Sequence, residues 1–383
     1  MTTTEKWPGR IALMVAHCAG MVDLVALPVW VGTLISAYKF DPQQAGALAT
    51  LFLAGAVIAS LFFAPRFNRI NARMAATVGF VASALAFGLA SLQTGFAMMA
   101  ICHAVAGLSA GTALSFTHGT IGRSANPHRM FAIVGLALGI FAIVFLGATP
   151  NIVAAVGGAA LFRIFAGVMA LAAIVAALLF PAPARAQGVD FDIVHPRLSR
   201  AVWAGVFGVS LMALNQAMVF SFFERIGADR GYGVELVTAV LIALGFVNLF
   251  PAPLAAILEK RLSAEKVVLA GPVAQAALAL VITMVAVFPA YAGAGAVYVA
   301  VMIFTHTFAF GLLSRLDASG RALAATPAML MAGAAIGPIL GGTLVKSSGY
   351  PAIGVAVCII AVGAVALFSQ ARLRPAAAMQ KAA

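Results

Sequence analysis

Residues 11–37 read IALMVAHCAGMVDLVALPVWVGTLISA, a run of 27 residues with a single acidic residue, Asp23, and no lysine or arginine. About 20 apolar residues cross the hydrocarbon core of a bilayer as an α-helix. The run is therefore predicted to span a membrane. The apolar part of a cleavable signal peptide covers only about 7–15 residues, so the run is interpreted as a retained first span.

Eleven further apolar runs follow along the chain, and each is long enough to be read as a spanning helix. The predicted spans 1 to 12 cover residues 11–37, 43–64, 74–93, 95–117, 129–148, 157–181, 201–226, 233–257, 267–288, 292–314, 322–345 and 351–371. The predicted fold class is an all-α membrane protein with twelve transmembrane helices in two pseudo-symmetric six-helix bundles.

The composition excludes the other broad classes of protein. Of 383 residues, 63% are hydrophobic and 9% are charged, and the mean hydropathy is +1.07. An average soluble domain has roughly 25% charged residues. The three cysteines, Cys18, Cys102 and Cys358, lie far apart inside apolar runs, so no disulfide framework or metal-binding spacing is visible.

The formal charge of +12 is explained by membrane topology rather than by nucleic acid. With the amino terminus in the cytoplasm, 18 of the 23 lysines and arginines fall on the cytoplasmic side, as the positive-inside rule requires. The cations left outside are Lys39, Arg163, Arg225, Arg230 and Lys346. We therefore expect a multi-pass protein of the inner (cytoplasmic) membrane with both termini in the cytoplasm and no nucleic-acid partner.

A polar segment at residues 182–200 interrupts the apolar pattern at the middle of the chain. It is predicted to be a cytoplasmic linker between an N-terminal bundle, residues 1–181, and a C-terminal bundle with a short cytoplasmic tail, residues 201–383. A weak repeat supports two related halves, because Arg123 and Arg315 follow spans 4 and 10 at equivalent places. Repeated six-helix halves are common in secondary transporters.

Two motifs resemble the major facilitator superfamily. Asp23 and the Ala-Leu-Pro at residues 26–28 are similar to a stretch in span 1 of its drug:proton antiporters. Residues 333–342, GAAIGPILGG, are similar to the Gly-rich, Pro-containing pattern of span 11. In span 4 the antiporter pattern Arg-x-x-x-Gly reads His103 to Gly107 here, and the loop after span 2 also departs from the family's pattern. The resemblance implies a transporter in which spans 1, 4, 7 and 10 line a central cavity.

Three titratable residues inside those spans are the candidates for proton coupling. Ionisable groups at mid-membrane are costly, about 2.5–3.5 kcal/mol on insertion scales, and usually serve a function. The candidates are Asp23 in span 1, His103 in span 4 and His306 in span 10. Asp23 is the expected protonation site, with either histidine as a relay.

Aromatic and amide side chains near the same depth are the candidates for substrate binding. Trp30 follows Asp23 by seven residues and should share its helix face. Gln216, Phe220 and Phe223 share a face of span 7 by the same rule, and Asn215 is adjacent. An alternative is that Trp30 anchors the membrane interface and that the phenylalanines only pack.

Charged residues at the cytoplasmic ends and the small residues of span 11 are the candidates for gating. The candidates are Arg123, Arg129, Arg315, Asp317, Arg321, Gly337 and Pro338. The alternative for the charged residues is that they only determine topology. Glu224, Arg225, Asp229 and Arg230 form a predicted charge cluster at the outer end of span 7, interpreted either as a set of salt bridges or as an outer gate.

The predicted function is secondary active transport of a small organic solute by alternating access, coupled to protons, with export favoured. The solute is expected to be neutral, amphipathic or cationic, because no lysine or arginine lies at mid-depth to clamp an anion. The sequence has no phosphate-binding glycine loop, so it does not indicate ATP-driven transport. We expect a monomer within a lipid bilayer and no cofactor. One alternative is a transition-metal or metal-chelate transporter using Asp23, His103, His306 or Cys18, although no close ligand spacing supports it. Another is a membrane-embedded enzyme.

Overall fold

The computed structural model describes residues 3–182, 198–317 and 326–371, and within these residues the secondary structure is helical, without strands. Twelve helices are long and apolar enough to cross a membrane. Spans 1 to 12 cover Trp7–Ser36, Pro42–Phe63, Ala72–Ala90, Phe96–Gly122, Arg129–Val156, Ala159–Leu179, Arg200–Asp229, Val234–Leu258, Ala264–Met284, Phe288–Leu316, Ala328–Ser348 and Tyr350–Gln370. The fold class and the number of spans are those predicted from the sequence.

Two spans are broken where a continuous helix was predicted. Span 1 consists of Trp7–Gly20 and Val22–Ser36, and the break falls directly after Gly20, a residue type that weakens a helix by about 1 kcal/mol relative to alanine. Span 8 consists of Val234–Val247 and Pro251–Leu258. Pro251 lacks a backbone N–H and therefore cannot bond the carbonyl of Val247, the last residue of the first segment.

Polar residues in the loops start several of the helices. The carboxylate of Asp41 accepts from the backbone N–H of Gln44 at 2.9 Å, and the Gln44 side chain accepts from the N–H of Asp41 at 3.2 Å. This capping box satisfies donors that the first turn of a helix leaves free. Asn71 caps span 3 and Ser199 caps span 7 in the simpler one-sided way. Most of the predicted linker, residues 183–197, lies outside the described residues.

The first six and last six spans each pack mainly among themselves, and close contacts between the two sets, such as Gly46 with Pro338 and Pro42 with Gly342, lie toward one end. We call this end, predicted to face away from the cytoplasm, the outer end, and the opposite one the inner end. The outer segment of span 1 packs on span 7, span 2 on span 11, and span 5 on span 8. The inner segment of span 1 packs instead on spans 4, 5 and 6 of its own set. The structure is therefore closed at the outer ends.

Candidate functional site

Asp23 lies in the first turn of the second segment of span 1, immediately after the break. Its side chain is buried, with 1% of the residue exposed, and neither carboxylate oxygen has a hydrogen-bond partner. The amino end of a helix favours negative charge, but an unpaired charge within a bilayer remains costly. Among the described residues no cation pairs with Asp23, and its role as the protonation site stays a prediction.

Trp30 and His103 are in direct contact. The indole Nε1–H of Trp30 donates to Nε2 of His103 at 3.1 Å, and Nδ1 of His103 lies 2.6 Å from the carbonyl oxygen of Met99. Both ring nitrogens of His103 are therefore engaged when the hydrogen is on Nδ1, so the pair fixes a neutral tautomer. A second proton on Nε2 would face the indole N–H.

The Trp30–His103 pair sits inside a closed aromatic cluster. Neither residue is exposed, and three phenylalanine rings, Phe52, Phe87 and Phe165, surround the indole at centroid distances of 4.7–5.7 Å. A solute cannot reach the pair in this arrangement. The predicted roles of Trp30 in substrate binding and of His103 in proton transfer stay predictions, and each requires a conformation that opens the cluster.

The candidates in span 7 separate into buried and partly exposed groups. Asn215 is fully buried and donates through Nδ2 to the carbonyl oxygen of Val357 in span 12 at 3.3 Å. Phe223 stacks on Tyr291 of span 10, with ring centroids 4.5 Å apart, and Phe220 is also buried. Gln216 is partly exposed, and its Oε1 has no partner. Of these four residues, Gln216 is therefore the best placed to meet a solute.

His306 in span 10 is partly buried, and its Nδ1 has no hydrogen-bond partner. The imidazole packs on Phe310, with ring centroids 4.9 Å apart. No hydrogen bond or ion pair joins Asp23, His103 and His306 in the described part of the chain. A relay among them, as predicted, would need intervening water or a change of conformation.

A histidine pair was missed by the sequence analysis. Nδ1 of His17 in span 1 lies 3.0 Å from Nε2 of His118 in span 4. Neither histidine was among the candidates from the sequence, whereas the structure brings the two rings together toward the inner ends of their spans. Their separation of 101 residues hides the pair from any local pattern.

At the inner end, Arg123, Arg129 and Arg315 form no ion pair with a described residue of the other set of spans. The guanidinium of Arg123 lies over the ring of Phe67, 4.2 Å from its centroid, within the first set. Arg129 and Arg315 are exposed, and neither makes an ion pair with a described residue. Asp317 is partly buried, and Arg321 lies outside the described residues.

At the outer end, spans 2 and 11 meet through glycines. A Cβ at Gly46 would overlap the carbonyl oxygen of Pro338, and a Cβ at Gly342 would overlap that of Pro42. Gly337 contacts span 7 instead, where a Cβ would lie 2.7 Å from the backbone nitrogen of Met218. The small residues of span 11 therefore permit close approach to two neighbours at once.

Two polar contacts reinforce this closure. The backbone N–H of Ile339 donates to Oγ1 of Thr50 at 3.2 Å. The ammonium group of Lys346 pairs with the carboxylate of Asp41 at 2.9 Å. We call the Asp41–Lys346 ion pair the outer clasp. Desolvation tends to raise the pKa of Asp41, but the hydrogen bond from Gln44 and the charge of Lys346 outweigh it and lower that pKa.

The predicted charge cluster at the outer end of span 7 is divided in the structure. Arg225 pairs with Asp229, and Asp229 accepts a hydrogen bond at 2.5 Å from the hydroxyl of Tyr350. Arg230 donates to the carbonyl oxygen of Ile282 in span 9 at 2.8 Å. Glu224 joins neither arrangement and lies against Gly32 of span 1.

The described parts of the chain contain no metal site, and their open grooves lie away from the predicted site residues. No group of three or more His, Cys, Asp or Glu residues there is arranged to hold a metal ion. An apolar groove of about 420 Å³ lies between spans 8, 9 and 10, and one of about 430 Å³ lies at the outer ends of spans 1, 3 and 6. None of the predicted site residues lines either groove.

Comparison with known proteins identifies relatives of the whole fold. A sequence model of the Major Facilitator Superfamily matches residues 12–319. No protein of established, curated function matches the sequence.

Three solved structures illustrate the likeness. A D-xylose-proton symporter superposes with a TM-score of 0.75 at 15% identity, covering 96% of this chain and 98% of that one. The nucleoside transporter NupG gives 0.72 at 13% identity, covering 96% and 99%. A bacterial homologue of the human lysosomal transporter Spinster, in an inward-facing and unoccupied conformation, gives 0.67 at 14% identity, covering 96% and 95%. At these identities the likeness shows the fold.

Proposed function

The chain belongs to the Major Facilitator Superfamily, and from that premise we propose that it moves a small organic solute across the inner membrane by alternating access coupled to protons. Membership of this superfamily makes the chain a multi-pass secondary transporter and not an enzyme. The proposed finer points are the coupling ion, the class of solute, export as the direction and a monomer as the working unit.

The observation that carries the proposal is the environment of Asp23. A carboxyl group with 1% exposure and no partner on either oxygen is far cheaper to keep neutral than charged. The break in span 1 beside it gives the backbone a place to change shape. A change that exposes Asp23 to water would let the proton leave, and this couples a proton to the conformational cycle.

The proposed solute is neutral, amphipathic or cationic. In the described spans no lysine or arginine lies near the depth of Asp23, so an anionic group would find no cationic partner there. Two of the solved structures with the same fold are named for a sugar and for a nucleoside, both neutral and polar. Gln216, with an unsatisfied amide oxygen and partial exposure, offers the kind of hydrogen-bonding group such solutes use.

The test is proton movement in proteoliposomes with an imposed pH gradient and a panel of solutes. The panel contains pentoses, nucleosides, lipophilic cations and, as the negative set, organic anions. We expect a solute from the first three groups to drive proton flux in the wild type, and Asp23→Asn to abolish that flux.

The matched control is Asp229→Asn, which removes a carboxylate from the outer surface of span 7 and should keep coupled flux. Solute flux that ignores both the gradient and Asp23→Asn would contradict the proposal and indicate a uniporter or another coupling ion. Exchange of the solute by Asp23→Asn without proton flux would show that the variant is folded and has lost only the coupling.

A further inference from the structure

Glu224 of span 7 occupies the seam between the two sets of spans at the outer end. One carboxylate oxygen lies so close to the Cα of Gly32 in span 1 that any Cβ there would overlap it. The side chain is partly buried, and it forms neither a hydrogen bond nor an ion pair with any described residue. A carboxyl group thus lies in a surface that must separate when the outer end opens.

The charged groups near Glu224 are already engaged elsewhere. On span 7 itself, Arg225 attracts a negative charge at Glu224 and Asp229 repels it, and these two neighbours pair with each other. The outer segment of span 1 has no lysine, arginine or histidine, and its only acid, Asp23, is nine residues from Gly32, about 14 Å along the helix.

Several other titratable groups at this end are engaged with partners of their own. They are Arg230, bonded to the carbonyl of Ile282, Tyr291, bonded to the carbonyl of Phe223, Tyr350, bonded to Asp229, and the Asp41–Lys346 clasp. Lys39, Arg163 and Tyr232 also lie at this end, and none of the described cations forms an ion pair with Glu224. Packing span 1 onto span 7 removes water from the carboxyl group without supplying a partner, so the closed seam favours the neutral acid.

We propose that Glu224 is a proton-binding site of the outer seam, protonated when spans 1 and 7 pack together and ionised when they separate. The proton comes from the outer solution and forms an O–H bond with one carboxylate oxygen, and that bond breaks to water on opening. The outer pH then sets the balance between closed and open outer ends. The proposal rests on the alternating access of the proposed function but not on any role of Asp23.

The experiment measures access to the seam from outside as a function of pH. The native cysteines Cys18, Cys102 and Cys358 are replaced by alanine, and Val29→Cys is introduced. Val29 is 3% exposed and lies one turn before Gly32, on the face of span 1 toward span 7. A membrane-impermeant maleimide is added outside intact cells between about pH 6 and pH 8, and its rate of reaction with the cysteine at position 29 is measured. Each rate is divided by the rate for Glu224→Gln at the same pH. This division removes the effect of titrating the thiol itself.

With Glu224 present, the normalised rate should rise with pH by up to about tenfold per pH unit, the limit for one linked proton. Glu224→Asp should keep a rise, because it retains a carboxyl group. Glu235→Gln, which removes an exposed carboxylate near the outer end of span 8, should behave as the wild type. If the labelling rate before this division depended on pH in the same way in Glu224→Gln and Glu235→Gln, the proposal would be overturned.

A second variant guards against misfolding of Glu224→Gln. Gly32→Ala keeps Glu224 but displaces its carboxyl group from Gly32, because the new Cβ would overlap the carboxylate oxygen. We expect Gly32→Ala to lose most of the pH-dependent rise. An unchanged rise in Gly32→Ala would also overturn the proposal. Asp23→Asn carrying the same reporter should keep the rise, so failure of Asp23 as the coupling site and failure of Glu224 are separate results.

Discussion

Trp30 and His103 show how a single hydrogen bond can decide the state of a buried histidine. The indole N–H of Trp30 donates a hydrogen bond to Nε2 of His103, and both side chains are fully buried. Trp30→Phe would leave that nitrogen without a donor in apolar surroundings. We expect a loss of about 1–3 kcal/mol of stability, measured by chemical denaturation of the purified protein in detergent.

Trp203→Phe is the matched control for this prediction. Trp203 is 47% exposed and stacks on Phe207 at the surface of span 7. Its replacement should change stability by less than about 0.5 kcal/mol. Equal losses in the two variants would mean that the hydrogen bond to His103 contributes nothing beyond the size of the ring.

At the residue scale, depth along the helix could be predicted, but contact partners could not. Position in an apolar run was enough to predict that Asp23 is buried. The same reasoning gave no sign that His17 would meet His118 or that Glu224 would leave its charged neighbours for Gly32. These contacts depend on how spans distant in sequence are rotated against each other, and helical periodicity fixes faces only within one span.

The breaks in spans 1 and 8 mark the limit of prediction at the scale of elements. Apolar length is enough to predict each span, because the bilayer imposes it. The break in span 8 had a local signal, Pro251, inside a run that was nevertheless read as continuous. The break after Gly20 has a weaker one, since a single glycine within an apolar run is compatible with an unbroken helix.

The glycine contacts between spans 2 and 11 lead to a prediction about closure. Gly46→Ala would place a Cβ against the backbone carbonyl of Pro338, which cannot move as a side chain could. Overpacking of this kind costs about 1–3 kcal/mol. We expect outer labelling of Val29→Cys to rise about fivefold or more.

Gly135→Ala in span 5 is the control, because a Cβ there would meet nothing within 4 Å. Its labelling should match that of the parent chain, and alanine should stabilise the helix by up to about 1 kcal/mol relative to glycine. Unchanged labelling in Gly46→Ala would mean that spans 2 and 11 do not need this close approach to close the outer end.

The outer clasp should respond to salt and to acid rather than to pH near neutrality. The pKa of Asp41 is lowered, so its stabilising charge is present above the ordinary value and is lost only as the pH falls through the lowered one. Both side chains are substantially exposed, 34% for Asp41 and 50% for Lys346, which limits the pair to about 1 kcal/mol. We expect Lys346→Gln to raise outer labelling by up to about fivefold at low salt.

Asp41→Asn should reproduce the effect of Lys346→Gln, since asparagine keeps the cap on Gln44 and loses only the ion pair. Asp41→Ala loses the cap as well and should cost about 1 kcal/mol more in stability. An effect of Lys346→Gln that is equally large in high salt would contradict an electrostatic clasp.

At the scale of the whole molecule, the two sets of spans meet closely at the outer ends, and the source of the proton proposed for Glu224 depends on which side of the membrane those ends face. The charge bias, with 18 of 23 cations at loops and termini on one side, predicts cytoplasmic termini. A green fluorescent protein fused after the last residue should therefore be fluorescent, and alkaline phosphatase fused at the same point should be inactive. Fusion after Ser348, which omits span 12, should give the opposite result.

If phosphatase were instead active on the full chain and inactive after Ser348, the outer clasp and Glu224 would face the cytoplasm. Glu224 would then take its proton from the cytoplasm, and the same closed seam would describe a transporter open to the exterior.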